Sequence, residues 1–188
     1  MEPMIHALKE WSVAVDALVA GDMIMLLRKG GIRDQGKSFA VTHDRAILYP
    51  TYEHQRPELL KPAYASQVQP VASGWHPHQV PIQAWAQITH VFQVSQADVV
   101  AALQPHHIWN QQFVTERLQW QPNRPVSVLL LRTYQLAEPL MIPYCSKYGG
   151  CRSWIDLAEP ISMMGALPVL SEMDYSQQVE AIGQLIDG

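Results

Sequence analysis

Cysteine, phenylalanine and charge are all scarce in this chain. Of its 188 residues two are cysteine, three are phenylalanine, and 16% are charged. Two cysteines exclude a disulfide-framed scaffold. Cys145 and Cys151 stand farther apart than the cysteines of a zinc pair and read as two reduced thiols. No uninterrupted apolar run exceeds five residues, Met23 to Leu27 being one, against the roughly 20 that a membrane-spanning helix needs. Glu2, His6, Lys9 and Glu10 stand where the apolar core of a secretory signal would lie, so the expectation is a cytoplasmic protein without a membrane. Walker A, GxGxxG and GxSxG motifs are absent, which argues against P-loop nucleotide hydrolysis, Rossmann redox chemistry and the common hydrolase elbow. Basic residues are outnumbered 13 to 17, for a net charge of −4. That excludes coating nucleic acid by bulk charge and leaves room for a local basic site.

What is present suffices for one core, since 48% of residues are hydrophobic, and a chain of this length fits a single domain over 1–188. Ile5, Leu8, Trp11, Val15, Leu18 and Val19 recur at helical spacing, which predicts an N-terminal helix over 1–20 capped by Gly21. Met23–Leu27 suits a strand buried on both faces. Gly30 to Lys37 reads as a turn or mobile loop. Short strands are expected at Phe39–Val41 and Ala46–Tyr49, the second ended by Pro50. Thr51 to Pro81 is proline-punctuated and loop-like, with a helical turn possible at Pro57–Lys61. From Val80 to Val94 the even-numbered residues, His90 among them, form one apolar face of a long strand, and strands of that length usually bend or wrap. His90 is therefore expected in the core. Ser95 and Asp98 suggest a capping box, and Ile108–Leu118 a further helix. Val126 to Leu136, apolar on both faces at its centre, reads as a central strand. Ser153–Leu157 is a last short strand, and Ser171 caps a C-terminal helix over 171–188. The order does not alternate strand and helix, so a doubly wound sheet is excluded. The expected fold is α+β: a mixed or antiparallel, partly closed β-barrel over 21–170 with inserted helices.

Several local clusters suggest chemistry. Arg28, Lys29, Arg33, Lys37 and Arg45 lie close together among glycines, a combination that suits a phosphate. Tyr49-Pro-Thr-Tyr-Glu-His-Gln-Arg56 packs aromatic, acidic, imidazole and amide groups beyond a buried strand. Its Tyr52 is a stacking candidate, and Glu53 with His54 is an acid–base candidate. Tyr144-Cys-Ser-Lys-Tyr-Gly-Gly-Cys-Arg-Ser-Trp154 interleaves basic and aromatic residues, as a phosphate beside a stacked base requires. Arg132, a charge inside an apolar strand, must be paired or face a cleft. His76-Pro-His78 and His106-His107 lack neighbouring Asp, Glu or Cys ligands, so neither a metal nor a cofactor is expected.

The runs Leu8-Lys-Glu-Trp11, Asp16-Ala-Leu18, Leu26-Leu-Arg-Lys-Gly-Gly-Ile32, Leu48-Tyr-Pro-Thr-Tyr-Glu-His-Gln55, Leu129-Leu-Leu-Arg132 and Tyr148-Gly-Gly-Cys-Arg-Ser-Trp154 resemble a bacterial domain-of-unknown-function family common in cyanobacteria. The order of elements is also similar to PUA-like domains, especially their ASCH branch, small barrels implied to bind RNA or nucleotides. That branch carries G-x-K-x-x-E-x-R. Gly21 and Arg28 fit it, whereas Met23 and Leu26 replace the lysine and the glutamate. Some of those relatives are amidohydrolases that use a lysine, and Met23 removes it here.

The function expected from the sequence is binding of RNA or a nucleotide-like ligand. Arg28, Lys29, Arg33 and Arg45 would hold phosphate, Tyr52, Tyr148 and Trp154 would stack, and His54, Gln55 and Arg152 would read polar edges. Arg132 and Lys147 complete the set. A hydrolase or nuclease using Glu53 and His54 is the alternative, and a protein-interaction module without catalysis is the third reading. The segments 28–33, 49–56 and 147–154 are expected to line one concavity.

Overall fold

The computed structural model describes residues 2–29 and 41–188. Arg33, Lys37 and the segment Gly30–Lys37 lie outside the described residues, as does most of the strand expected at Phe39–Val41; Val41 itself is not in a strand.

One mixed sheet organises the chain. Its strands are β1 (Met4–Trp11), β2 (Met25–Arg28), β3 (Arg45–Thr51), β4 (Gln79–Val94), β5 (Val126–Pro143), β6 (Trp154–Ile161) and β7 (Leu167–Pro168). The order is β2-β5-β4-β3-β1-β6, with β7 added to β5. Only β1 and β3 pair in parallel; every other described pairing is antiparallel. No described pairing joins β2 to β6, so the sheet curls without closing. Among the described residues five α-helices flank it: α1 (Ser12–Ala20), α2 (Pro62–Ala65), α3 (Ala97–Ala102), α4 (Gln111–Gln119) and α5 (Glu172–Asp187). None is long and apolar enough to cross a membrane. The architecture is α+β, with β5 central as its apolar run predicts.

The N-terminal element differs from the expectation. Residues 4–11 form a strand, and the helix begins only at Ser12. The helical spacing of Ile5, Leu8 and Trp11 is overridden because both edges of this segment find partners, β3 and β6. Ala7 and Leu8 then point into different core clusters on the two faces. Gly21 does end the helix, in the left-handed conformation at φ 77°.

Proline does not stop β3 at Tyr49. Pro50 stays in the strand opposite Glu10 of β1. The β3–β4 pairing ends at Ile47, so the missing proline N–H costs no bond to β4.

The even-numbered residues of β4 do not share one face. Val80 and Ile82 belong to one core cluster, Ala84 and Ala86 to the other, with Trp85 on the side of Ile82. The switch coincides with a register shift in which Gln83 of β4 stands against residues 136–139 of β5, and at a second shift Thr89 is the extra residue in β4. His90 directly follows that irregularity and is exposed, not in the core, and its ring lies beside Phe92. Ser95 does not cap α3, whose N-cap is Gln96 and has no side-chain cap. Ser171 does cap α5, accepting the Asp174 N–H at 3.1 Å.

Candidate functional site

β2 runs opposite in direction to the parallel strands β1 and β3, yet the ends of all three meet, with Glu10, Arg28 and Thr51 lining one hollow. Their last residues and the loops above them enclose a cleft of about 630 Å³, within the range of small-ligand sites. The cleft brings together Arg28 and Lys29, Tyr52 through His54, and Tyr148 through Ser153. These come from the three segments expected to converge.

One end is cationic. The Arg28 guanidinium pairs with Glu10 Oε2 at 3.1 Å and donates to the Lys9 carbonyl. Lys29 is buried and donates through Nζ to the Leu118 carbonyl at 3.0 Å, in the last turn of α4, where exposed carbonyls favour a cation. Arg117, from the same turn, lies over the Phe113 ring at 4.8 Å. Burial, and secondarily the neighbouring Arg117, holds the Lys29 pKa below its ordinary value. Burial and then Arg28 act likewise on Arg117. Three cations thus face one carboxylate, and the excess charge suits an anion.

The other end is aromatic. Tyr49 and Tyr148 meet edge to face with ring centres 5.6 Å apart. Tyr144 stands at 88° to Tyr148 and stacks on His76 at 3.3 Å. The loop that carries Trp75 is held by Glu53, whose Oε1 accepts the Gly74 N–H at 2.6 Å and the Ser73 hydroxyl at 3.2 Å. Trp75 then meets the Tyr52 ring at 5.9 Å and remains 46% exposed. The Gly74 N–H, ahead of the neighbouring His54, lowers the Glu53 pKa. His54 bonds the same oxygen at 3.1 Å from a left-handed backbone, φ 65°, a conformation uncommon for a residue with a side chain.

Lys9 joins the two ends. Its Nζ donates to the carbonyls of Tyr148 at 2.6 Å and Gly150 at 2.8 Å. Burial first, then Arg152, lowers its pKa. Arg152 lines the cleft and braces its own loop by donating to the Lys147 carbonyl at 2.8 Å. Tyr148 is fixed from behind, its hydroxyl accepting the Ala158 N–H at 2.7 Å.

Other residues expected at the site lie outside this lining. Gln55 is buried beneath it, where Oε1 accepts the Ser12 hydroxyl and the Val13 N–H, each at 3.1 Å. Arg132 lies over the Tyr175 ring at 4.7 Å and donates to the Ser171 carbonyl at 3.1 Å and to Glu172 at 3.3 Å. It therefore docks α5. Arg45 is exposed at the start of β3. Lys147 covers the outer side of Tyr148 at 5.5 Å, and Trp154 packs edge-on against His43. Cys145 and Cys151 are free thiols. Among the described residues no group of three or more His, Cys, Asp and Glu side chains is arranged to hold a metal ion.

Sequence reasoning did not single out Lys9, Arg117, Trp75 or Trp120, all of which line the cleft. Lys9 was hidden by the helical reading of residues 4–11. Arg117 lies in the last turn of α4 and Trp120 directly follows it, and only the docking of that helix beside the end of β2 brings them to the site.

Solved structures of the ASCH protein from Zymomonas mobilis are similar to the chain at 12% identity. One covers 94% of this chain and 93% of its own, with a TM-score of 0.45. A tyrosine-to-phenylalanine variant covers 94% and 96% at 0.46, and a serine-to-alanine variant 96% and 99% at 0.46. No curated protein matches the sequence. The family model described as domain of unknown function DUF1802 matches residues 7–181, nearly the whole sheet with its helices and cleft, and the chain belongs to that family.

Proposed function

We propose that the cleft binds RNA or a nucleotide-like ligand. The observation that carries this reading is the junction, in one cavity, of a cationic end around Arg28, Lys29 and Arg117 with an aromatic end around Tyr52, Trp75 and Tyr144. Phosphate needs forked or point cations in excess of local acid, and bases need flat apolar rings. Arg152 and His54 supply polar groups at the rim. Glu53 and His54 are engaged with each other and with the Ser73–Gly74 loop, and a carboxyl held ionised by those contacts is a poor proton donor. Binding therefore accounts for the geometry better than acid–base chemistry.

The test is fluorescence titration of the protein with single-stranded RNA tetramers and nucleoside monophosphates at two ionic strengths, read by quenching of the exposed Trp75 and Trp120. Salt-dependent binding supports the reading. Absence of binding by every probe refutes it and leaves a protein-interaction surface as the better account.

A further inference from the structure

Tyr49 lines the cleft at only 3% exposure. Its hydroxyl is buried and makes no hydrogen bond among the described residues. Its neighbours do not share this condition: the Tyr148 hydroxyl is satisfied by Ala158, and Tyr144 is partly exposed. A phenylalanine would fill the same space without stripping water from a hydroxyl that regains nothing. The packing of the protein alone gives this oxygen no purpose. A phenol can both donate and accept, and burial raises its pKa, so it stays neutral in the physiological range. At the opposite end, Arg117 lies over the Phe113 ring, and no hydrogen bond from its guanidinium is seen among the described residues. Its neighbour Glu10 is already paired with Arg28. The orphaned hydroxyl and the guanidinium thus lie at the two ends of one cleft, and they have different chemistry.

We infer that the cleft is polar in direction: the heterocycle of a nucleotide enters the tyrosine-walled end and hydrogen-bonds the Tyr49 hydroxyl through its polar edge, while Arg117, beside Arg28 and Lys29, takes the phosphate. Tyr49 is then the residue that distinguishes a base from the bare sugar phosphate. The inference rests on the binding reading above and adds to it the orientation of the ligand and the origin of specificity. The nucleotide comes either free or as one unit of a single-stranded RNA, and the two sources share this chemistry.

The experiment compares wild type, Tyr49→Phe and Arg117→Gln by calorimetric titration against the four nucleoside 5′-monophosphates, ribose 5-phosphate and single-stranded RNA tetramers. Wild type should prefer at least one nucleotide over ribose 5-phosphate. In Tyr49→Phe that preference should fall about ten-fold, the worth of one hydrogen bond, with ribose 5-phosphate unaffected. Arg117→Gln should weaken all ligands alike. The thermal midpoint of unliganded Tyr49→Phe should equal or exceed that of wild type, because the lost hydroxyl had no partner. Tetramers binding more tightly than monophosphates would identify RNA as the source, and equal affinity the free nucleotide. A Tyr49→Phe variant that keeps the full base preference, or that unfolds at a lower temperature, overturns the inference and leaves the binding reading standing. Failure of wild type to bind any of the probes overturns both.

Discussion

Glu53 accepts the Gly74 N–H at 2.6 Å, and through that contact the turn after β3 holds the loop that presents Trp75. The same oxygen takes the Ser73 hydroxyl and the His54 imidazole. An exposed indole is useful as a stacking surface only when its backbone is fixed, and here one carboxylate does the fixing for a loop with no ladder of its own. The acid and imidazole that look catalytic in the sequence are, in the fold, the clasp of an aromatic wall.

Glu53→Ala should therefore free Trp75 without unfolding the protein. Because the carboxylate is partly exposed, the loss of global stability should be about 1 kcal/mol or less. Acrylamide quenching, taken as the difference from a Trp75→Phe control, should increase. The folded carboxyl titrates below its ordinary 4.5, so the clasp is complete above that pH and is lost as pH falls through the lowered value. Wild type should show the same gain in quenching on acidification, and Glu53→Ala should show none.

Gln55→Leu should act on stability and not on the rim of the cleft. It leaves the Val13 N–H at the start of α1 without its acceptor, at a cost of about 2 kcal/mol. For a chain of this size that lowers Tm by about 4–8 °C. A scanning calorimetry trace with an unchanged midpoint would contradict the assigned role.

His107 should make the fold acid-sensitive above the carboxylate range. Burial first, and then the Lys61 ammonium, push its pKa from 6.5 down to about 4. The unfolded chain binds the proton more readily, so stability is full above 6.5 and falls as pH drops from there toward 4, by about 3 kcal/mol in total. His107→Phe should flatten the pH dependence of the urea midpoint over that window while leaving the midpoint at pH 8 within about 1.5 kcal/mol of wild type.

Arg117→Gln should lower the slope of log affinity against log salt by about one for an RNA ligand, the signature of one lost phosphate contact. Arg45→Gln, at the exposed start of β3 and outside the cleft lining, should leave the slope unchanged. Equal slopes for Arg117→Gln and wild type would remove Arg117 from the phosphate end.

Much of the fold is written locally. The apolar run of Val128 to Leu131 dictates a central strand, Gly21 ends α1, Ser171 starts α5, and the aromatic and basic clusters near 52 and 148 mark two walls of the cleft. In each case the determining physics acts within a few residues: burial on both faces, a left-handed cap, a side-chain acceptor at a helix start. Local pattern did not decide the state of residues 4–11, because a strand that is hydrogen-bonded on both edges outweighs a helical spacing of three apolar residues. Nor did it decide which way Ala84 and His90 face, since each directly follows a register shift against β5. The remaining walls of the site, Lys9, Arg117 and Trp120, belong to elements far apart in sequence. They become neighbours only when β1, β2 and α4 pack together, and long-range packing of that kind leaves no periodic trace in the chain.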